Sequence, residues 1–218
     1  MDDAYILRRV DHTLLKAAAS WLEIEELCNE AIRFQTASVC VPPCYVGRIR
    51  KAFPEINICT VIGFPLGYAS AKSAEAQAAV GDGADELDMV INLSDVKNGD
   101  YAAVETEISS LKRIAGARIL KVIIETCYLT EAEKIALCRT VTAAGADYIK
   151  TSTGFGAAGA AMEDIKLFKA NIGPNVKIKA AGGIRTREDM VLFLDAGCDR
   201  LGTSSAVKLL TGGAAQSY

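Results

Sequence analysis

Apolar positions along this chain follow two alternating spacings. Short, β-branched runs at 37–41, 57–62, 85–91, 118–124, 147–150, 176–179 and 198–202 read as buried strands, bounded by polar and glycine positions. A further short run at 9–13, after a turn of N-terminal helix, supplies an eighth. Between the runs, apolar residues recur every three or four positions and predict helices, as over 22–34, 70–80, 101–115 and 130–144. Thr130 followed by Glu133 predicts a capping box, and Gly81, Gly145 and Gly197 predict helix ends. The alanine-rich stretch 69–80 reads as one helix with a small-residue face.

Eight strand–helix units at a spacing of roughly 25–30 residues predict a (β/α)8 barrel near its lower size limit. The competing solution is a doubly wound open sheet, which usually carries a glycine-rich turn after its first strand; no such turn is present. No linker or composition shift divides the 218 residues, so a single domain spanning 1–218 is expected, with 211–218 as a flexible tail that could fold over the barrel mouth.

Composition narrows the function classes. Half the residues are hydrophobic and 23% are charged, enough for a large core. The formal net charge of −3 gives no basic field for nucleic acid, so an anionic ligand would be held by local donors. Seven cysteines without a CxxC pair, most inside apolar patterns, fit reduced thiols in a cytosol. Cys40 and Cys44 flank Val41-Pro42-Pro43, and His12 is the single histidine, which argues against a metal site. The N-terminus lacks a signal-peptide pattern and no apolar run approaches a membrane span, so a cytoplasmic protein with no membrane partner is expected.

The polar interruptions of the strands carry the chemistry. Barrel catalysis belongs at the C-terminal strand ends, which this reading places at Asp11, Cys40, Thr60, Asp88, Lys121, Lys150, Lys179 and the turn Gly202-Thr203-Ser204-Ser205. Lysines buried in strands are costly unless paired or neutral. An amine of pKa ~10.4 is neutral in about one molecule in 2,500 at pH 7; at ~7.5 roughly a quarter is neutral, a difference of ~4 kcal/mol. Lys150, before Thr151-Ser152-Thr153-Gly154, reads either as a strand-end lysine reaching solvent or as a Schiff-base nucleophile. Lys121 and Lys179 on the neighbouring strands would supply the like charge that a neutral amine needs. Asp88 reads as a counter-ion, a general acid–base group, or both. The glycine-rich turns after the seventh and eighth strands read as tight turns or as a phosphate site. Neighbouring strand residues face opposite ways, so Asp11 is the site candidate and His12 a structural residue.

Six segments together resemble the deoxyribose-phosphate aldolases, class I aldolases of the bacterial type. They are Asp11-His12-Thr13-Leu14-Leu15, Glu86-Leu87-Asp88-Met89-Val90-Ile91-Asn92, Leu120-Lys121-Val122-Ile123-Ile124-Glu125-Thr126, Lys150-Thr151-Ser152-Thr153-Gly154, Lys179-Ala180-Ala181-Gly182-Gly183-Ile184-Arg185 and Gly202-Thr203-Ser204-Ser205. The resemblance implies reversible cleavage of 2-deoxy-D-ribose 5-phosphate to acetaldehyde and D-glyceraldehyde 3-phosphate. By motif match Lys150 would form the Schiff base, Lys179 would be the nearby cation, Asp88 the acid–base partner through an ordered water, and Lys121 part of their network. Asp11 and Thr13 would contact sugar hydroxyls. Thr151, Gly154, Gly182, Gly183, Gly202, Ser204 and Ser205 would lie along the substrate and its phosphate. Tyr218 matches a terminal tyrosine that some members use for proton transfer. Cys40 matches a cysteine open to unsaturated aldehydes. Phe155 stands where some members carry a phosphate-binding lysine. The lysine is its own electron sink, so no cofactor is expected; a homodimer is. The rival readings are a non-covalent sugar-phosphate isomerase and a catalytically silent barrel binding a phosphorylated ligand.

Overall fold

The computed structural model describes residues 1–212. Its strands are β1 (Val10–Thr13), β2 (Ser38–Val41), β3 (Ile58–Ile62), β4 (Glu86–Val90), β5 (Ile119–Ile123), β6 (Tyr148–Lys150), β7 (Lys177–Ala181) and β8 (Arg200–Thr203). Every neighbouring pair is parallel, and β8 pairs with β1, so the sheet closes in sequence order. Helix α1 (Asp3–Leu7) precedes β1. The connecting helices are α2 (Trp21–Phe34), α3 (Val46–Ala52), α4 (Lys72–Gly81), α5 (Leu93–Lys97), α6 (Tyr101–Ala115), α7 (Glu131–Ala143), α8 (Met162–Asn171), α9 (Arg187–Asp195) and α10 (Ala206–Leu210). The (β/α)8 expectation is correct, and each strand lies within its predicted run or within a residue or two of it. No helix among the described residues is long and apolar enough to cross a membrane.

Local sequence explains the helix ends. Thr130 accepts from the Glu133 amide while Glu133 caps the Thr130 amide, the reciprocal pair expected at the start of α7. Ser20 and Glu23 do the same for α2, which then buries Ile24, Leu27, Cys28 and Ala31 on one face. Gly145 and Gly197 follow α7 and α9 at φ +74° and +107°. The expectation for Gly81 is corrected: it stays in the last turn of α4, and Gly83 at φ +99° makes the left-handed exit. That helix also starts later, because 69–71 form a separate 3-10 turn.

Burial divides the barrel by strand parity. Outward residues such as Val39, Ile58, Leu87, Val122, Ile149, Ile178 and Leu201 join the helices in the main core. The interior is different. On the β2–β3 side, Cys40, Cys59 and Val61 pack with Leu15 and Phe64 in a small apolar cluster. Across from them the inward positions are ionised, and that asymmetry builds the site.

Candidate active site

Seven charged side chains meet inside the barrel: Asp11 from β1, Glu86 and Asp88 from β4, Lys121 from β5, Lys150 from β6, Lys179 from β7 and Arg200 from β8. Asp88 is the hub. Its Oδ1 lies 2.8 Å from Lys121 Nζ, and its Oδ2 lies 2.7 Å from Lys150 Nζ and 2.6 Å from Lys179 Nζ. Lys179 also reaches Asp11 Oδ2 at 2.5 Å, and Lys121 reaches Glu86 Oε2 at 2.5 Å. Arg200 closes the set against Asp11 at 2.5 Å and Glu86 at 3.3 Å. Strand register makes this convergence: Asp88 is level with Lys121, Lys150 with Lys179, and Lys179 with Arg200.

Burial and the facing charges compete to set the protonation of the hub, and the charges win. Burial pushes the Asp88 and Asp11 carboxyls up, but the facing lysines, and Arg200 at Asp11, outweigh it and hold both well below the carboxylate range. Burial pulls the Lys121 and Lys179 amines down, yet Asp11 and Asp88 hold both above the ordinary lysine value. Lys179 is therefore a fixed cation between two anions. Ionised groups out of water cost several kcal/mol each, which facing charges only partly offset. Leucine or valine would fill the same barrel without that cost, so the cluster points to chemistry rather than to packing.

Lys150 is the cluster member that opens outward. It lines a cavity of about 160 Å³ at the C-terminal end of the barrel, together with Thr13, Gly154, Gly182 and Gly183. Gly202, Ser204 and Ser205 complete that wall. Eight of the sequence-predicted positions thus meet around one space. The glycines there have reasons. Gly182 has φ +80°, and a Cβ on it would sit 3.1 Å from the Cα of Gly159 and 3.3 Å from that of Gly154. Two loop backbones therefore touch, with exposed Gly183 beyond them at φ +75°. A Cβ at Gly202 would press within 3.1 Å of Lys179 Cε, so this glycine makes room for the buried lysine.

Other predicted positions fall elsewhere. Asp11 is fully buried against Lys179, Arg200 and Ser38 and does not line the cavity, so its carboxylate anchors charge instead of facing a sugar. Thr151 is spent between strands, donating to the Ala181 carbonyl and accepting from the Ala181 amide. Cys40 is fully buried in the apolar cluster rather than open at the mouth. Thr60 faces the other way, donating to the Val41 carbonyl. Tyr218 lies outside the described residues. His12 turns from the interior to Glu30 of α2 at 2.7 Å, as its parity predicts.

Sequence reasoning missed Glu86, Arg200, Cys59 and Glu125. Cys59 lies 3.1 Å from Asp88 Oδ1 and 3.3 Å from Lys121 Nζ. Glu125 binds the Thr153 amide and hydroxyl beside the cavity. Two donor sets, Cys40–Cys59–Asp88 and Asp11–Cys59–Glu86, are compact enough for a metal ion. Their carboxylates already face lysine or arginine, and a further cation there would be repelled.

Comparison with known proteins agrees with this geometry. The chain is 62% identical over its full length to the deoxyribose-phosphate aldolase of Clostridium botulinum, also covered in full. It is 54% identical to that of Clostridioides difficile over 94% of this chain and 95% of the relative. The tetrameric deoxyribose phosphate aldolase of Aeropyrum pernix superposes with a TM-score of 0.89 at 34% identity, covering 96% of this chain and 91% of that one. The model of the DeoC/LacD family aldolases matches residues 5–206, a span that holds all eight strands and every charged group of the cluster. A lysine-rich barrel interior, a cavity floored by one of those lysines and likeness along the whole chain converge: this chain belongs to the DeoC/LacD aldolase family.

Proposed function

We propose that the protein is a class I aldolase that reversibly cleaves 2-deoxy-D-ribose 5-phosphate to acetaldehyde and D-glyceraldehyde 3-phosphate. The observation that carries this reading is Lys150: one amine faces a polar cavity while its Nζ stays 2.7 Å from a carboxylate shared with two buried lysines. With every lysine protonated, the cluster would hold four cations against three carboxylates. Of these groups Lys150 is the amine that lines the cavity, where a carbonyl carbon can reach it.

Neutral Lys150 attacks C1 of the open-chain aldehyde, and loss of water leaves an iminium that acts as the electron sink. Removal of the C3 hydroxyl proton then breaks C3–C4, giving an enamine and glyceraldehyde 3-phosphate. Asp88 directs that proton through an ordered water. Lys179 and Lys121 keep Asp88 anionic and in place. Protonation of the enamine at C2 and hydrolysis release acetaldehyde; Tyr218 is the candidate donor for that protonation. The turns at Gly182-Gly183 and Ser204-Ser205 line the end of the cavity assigned to the phosphate, with Arg185 at the same rim. Thr13, on the same wall, would contact a sugar hydroxyl.

A non-covalent isomerase or a silent binding barrel does not call for the cavity-facing amine. Replacing Lys150 with Leu should abolish aldol cleavage, followed by coupled reduction of glyceraldehyde 3-phosphate, while circular dichroism stays native. Cleavage above about 1% of the parent rate would sink the assignment. The same reading includes a homodimer in the cytoplasm, which sedimentation and cell fractionation check.

A further inference from the structure

Glu125 follows β5 and is 2% exposed, yet the steps above do not use it. Its backbone is left-handed, φ +52° and ψ +67°, an arrangement that is costly for a non-glycine residue and persists where surroundings enforce it. Its carboxylate makes no ion pair among the described residues. Instead Oε1 accepts the Thr153 amide at 3.1 Å, and Oε2 accepts the Thr153 hydroxyl at 2.5 Å. The same hydroxyl oxygen accepts the Phe155 amide at 3.0 Å, so a chain of hydrogen bonds runs from Glu125 to Phe155. Gly156 fits closely beneath: a Cβ there would meet Glu125 Oε1 at 3.1 Å and Cys127 Sγ at 3.0 Å. Burial raises the Glu125 carboxyl, only partly countered by the Thr153 donors and the Lys150 charge, so holding it ionised here has a cost.

Thr153, Gly154 and Phe155 line the cavity beside Gly182 and Gly183, with the Gly154 backbone against that of Gly182. We infer that Glu125 is a positioning residue that clamps this loop, fixing the side of the cavity that receives the phosphorylated end of the substrate. The inference rests on the aldolase reading of the cavity. Lys150 feels the Glu125 charge but is held in place by its strand and by Asp88, so the clamp acts chiefly on substrate placement.

The test measures two quantities on Glu125→Gln and Glu125→Ala: KM for 2-deoxy-D-ribose 5-phosphate, and borohydride-trapped acetaldehyde at Lys150. An amide has one acceptor for two Thr153 donors, so Glu125→Gln should raise KM about 3–10-fold and Glu125→Ala more than 10-fold. Trapping by unphosphorylated acetaldehyde should stay within twofold of the parent. KM within twofold in both variants overturns the inference, as does trapping that falls in step with KM. If the alanine variant does not fold, the isosteric glutamine variant carries the test alone. Absence of any adduct in the parent protein would instead contradict the aldolase reading.

Discussion

Arg200 contributes no group to the cavity, yet its guanidinium is the counter-charge that Asp11 and Glu86 share. Changing it to Met should cost about 3–5 kcal/mol in urea denaturation, because two buried carboxylates lose a partner. Adding Glu86→Gln should recover part of that loss; additive costs would show that the two residues are not coupled. At this scale the sequence was partly legible. Lys121, Lys150, Lys179 and Asp88 stand out because charge interrupts apolar strands. Glu86 was also accessible, since residues two apart on a strand share a face and Asp88 was already recognised. Thr60 was misplaced by counting strand ends without parity. Arg200 was hidden, because Asp199-Arg200 at the start of a short strand looks like any polar turn. Its partners are far away in the chain, and only closure of the barrel brings β8 beside β1.

Among the elements, the strands were the more legible, since parallel strands covered on both faces read as dense apolar runs. Capped helices such as α7 were also predictable. Short helices such as α5 and α10 were not, because five residues carry too few turns for periodicity to register. The loop after β6 shows what sequence conceals. Gly159 has ordinary surroundings in the chain, yet a Cβ there would lie 2.3 Å from the carbonyl carbon of Gly182. The next amide, of Ala160, bonds the Ala181 and Gly182 carbonyls and ties that loop to the turn after β7. Gly159→Ala should therefore push the Gly182 turn aside, cost about 1–3 kcal/mol and raise KM for the phosphorylated substrate. An unchanged KM would mean that the contact between these loops does not shape the phosphate end.

For the molecule as a whole, the interior cluster sets a pH window. Asp11 and Asp88 have depressed folded-state pKa values, so their stabilisation is present above the unfolded value of ~3.9 and is lost as pH falls toward the folded values. Lys121 and Lys179 are raised, so theirs is complete below ~10.4 and lost only as pH climbs through still higher values. These four groups should contribute a constant stability between about pH 5 and 10. Asp11→Asn should thus be much less stable than the parent at pH 7, with the gap narrowing below about pH 4; a gap that does not depend on pH would contradict the charge assignment. The same barrel leaves one amine facing the cavity, and the central claim is that this amine becomes covalently bound. The most direct test is to incubate the protein with acetaldehyde, reduce with borohydride and locate the adduct by peptide mass spectrometry. The account predicts a single ethyl group on Lys150. An ethyl group on Lys121 or Lys179 would overturn the assigned roles, and no adduct on folded, active protein would contradict the Schiff-base mechanism itself.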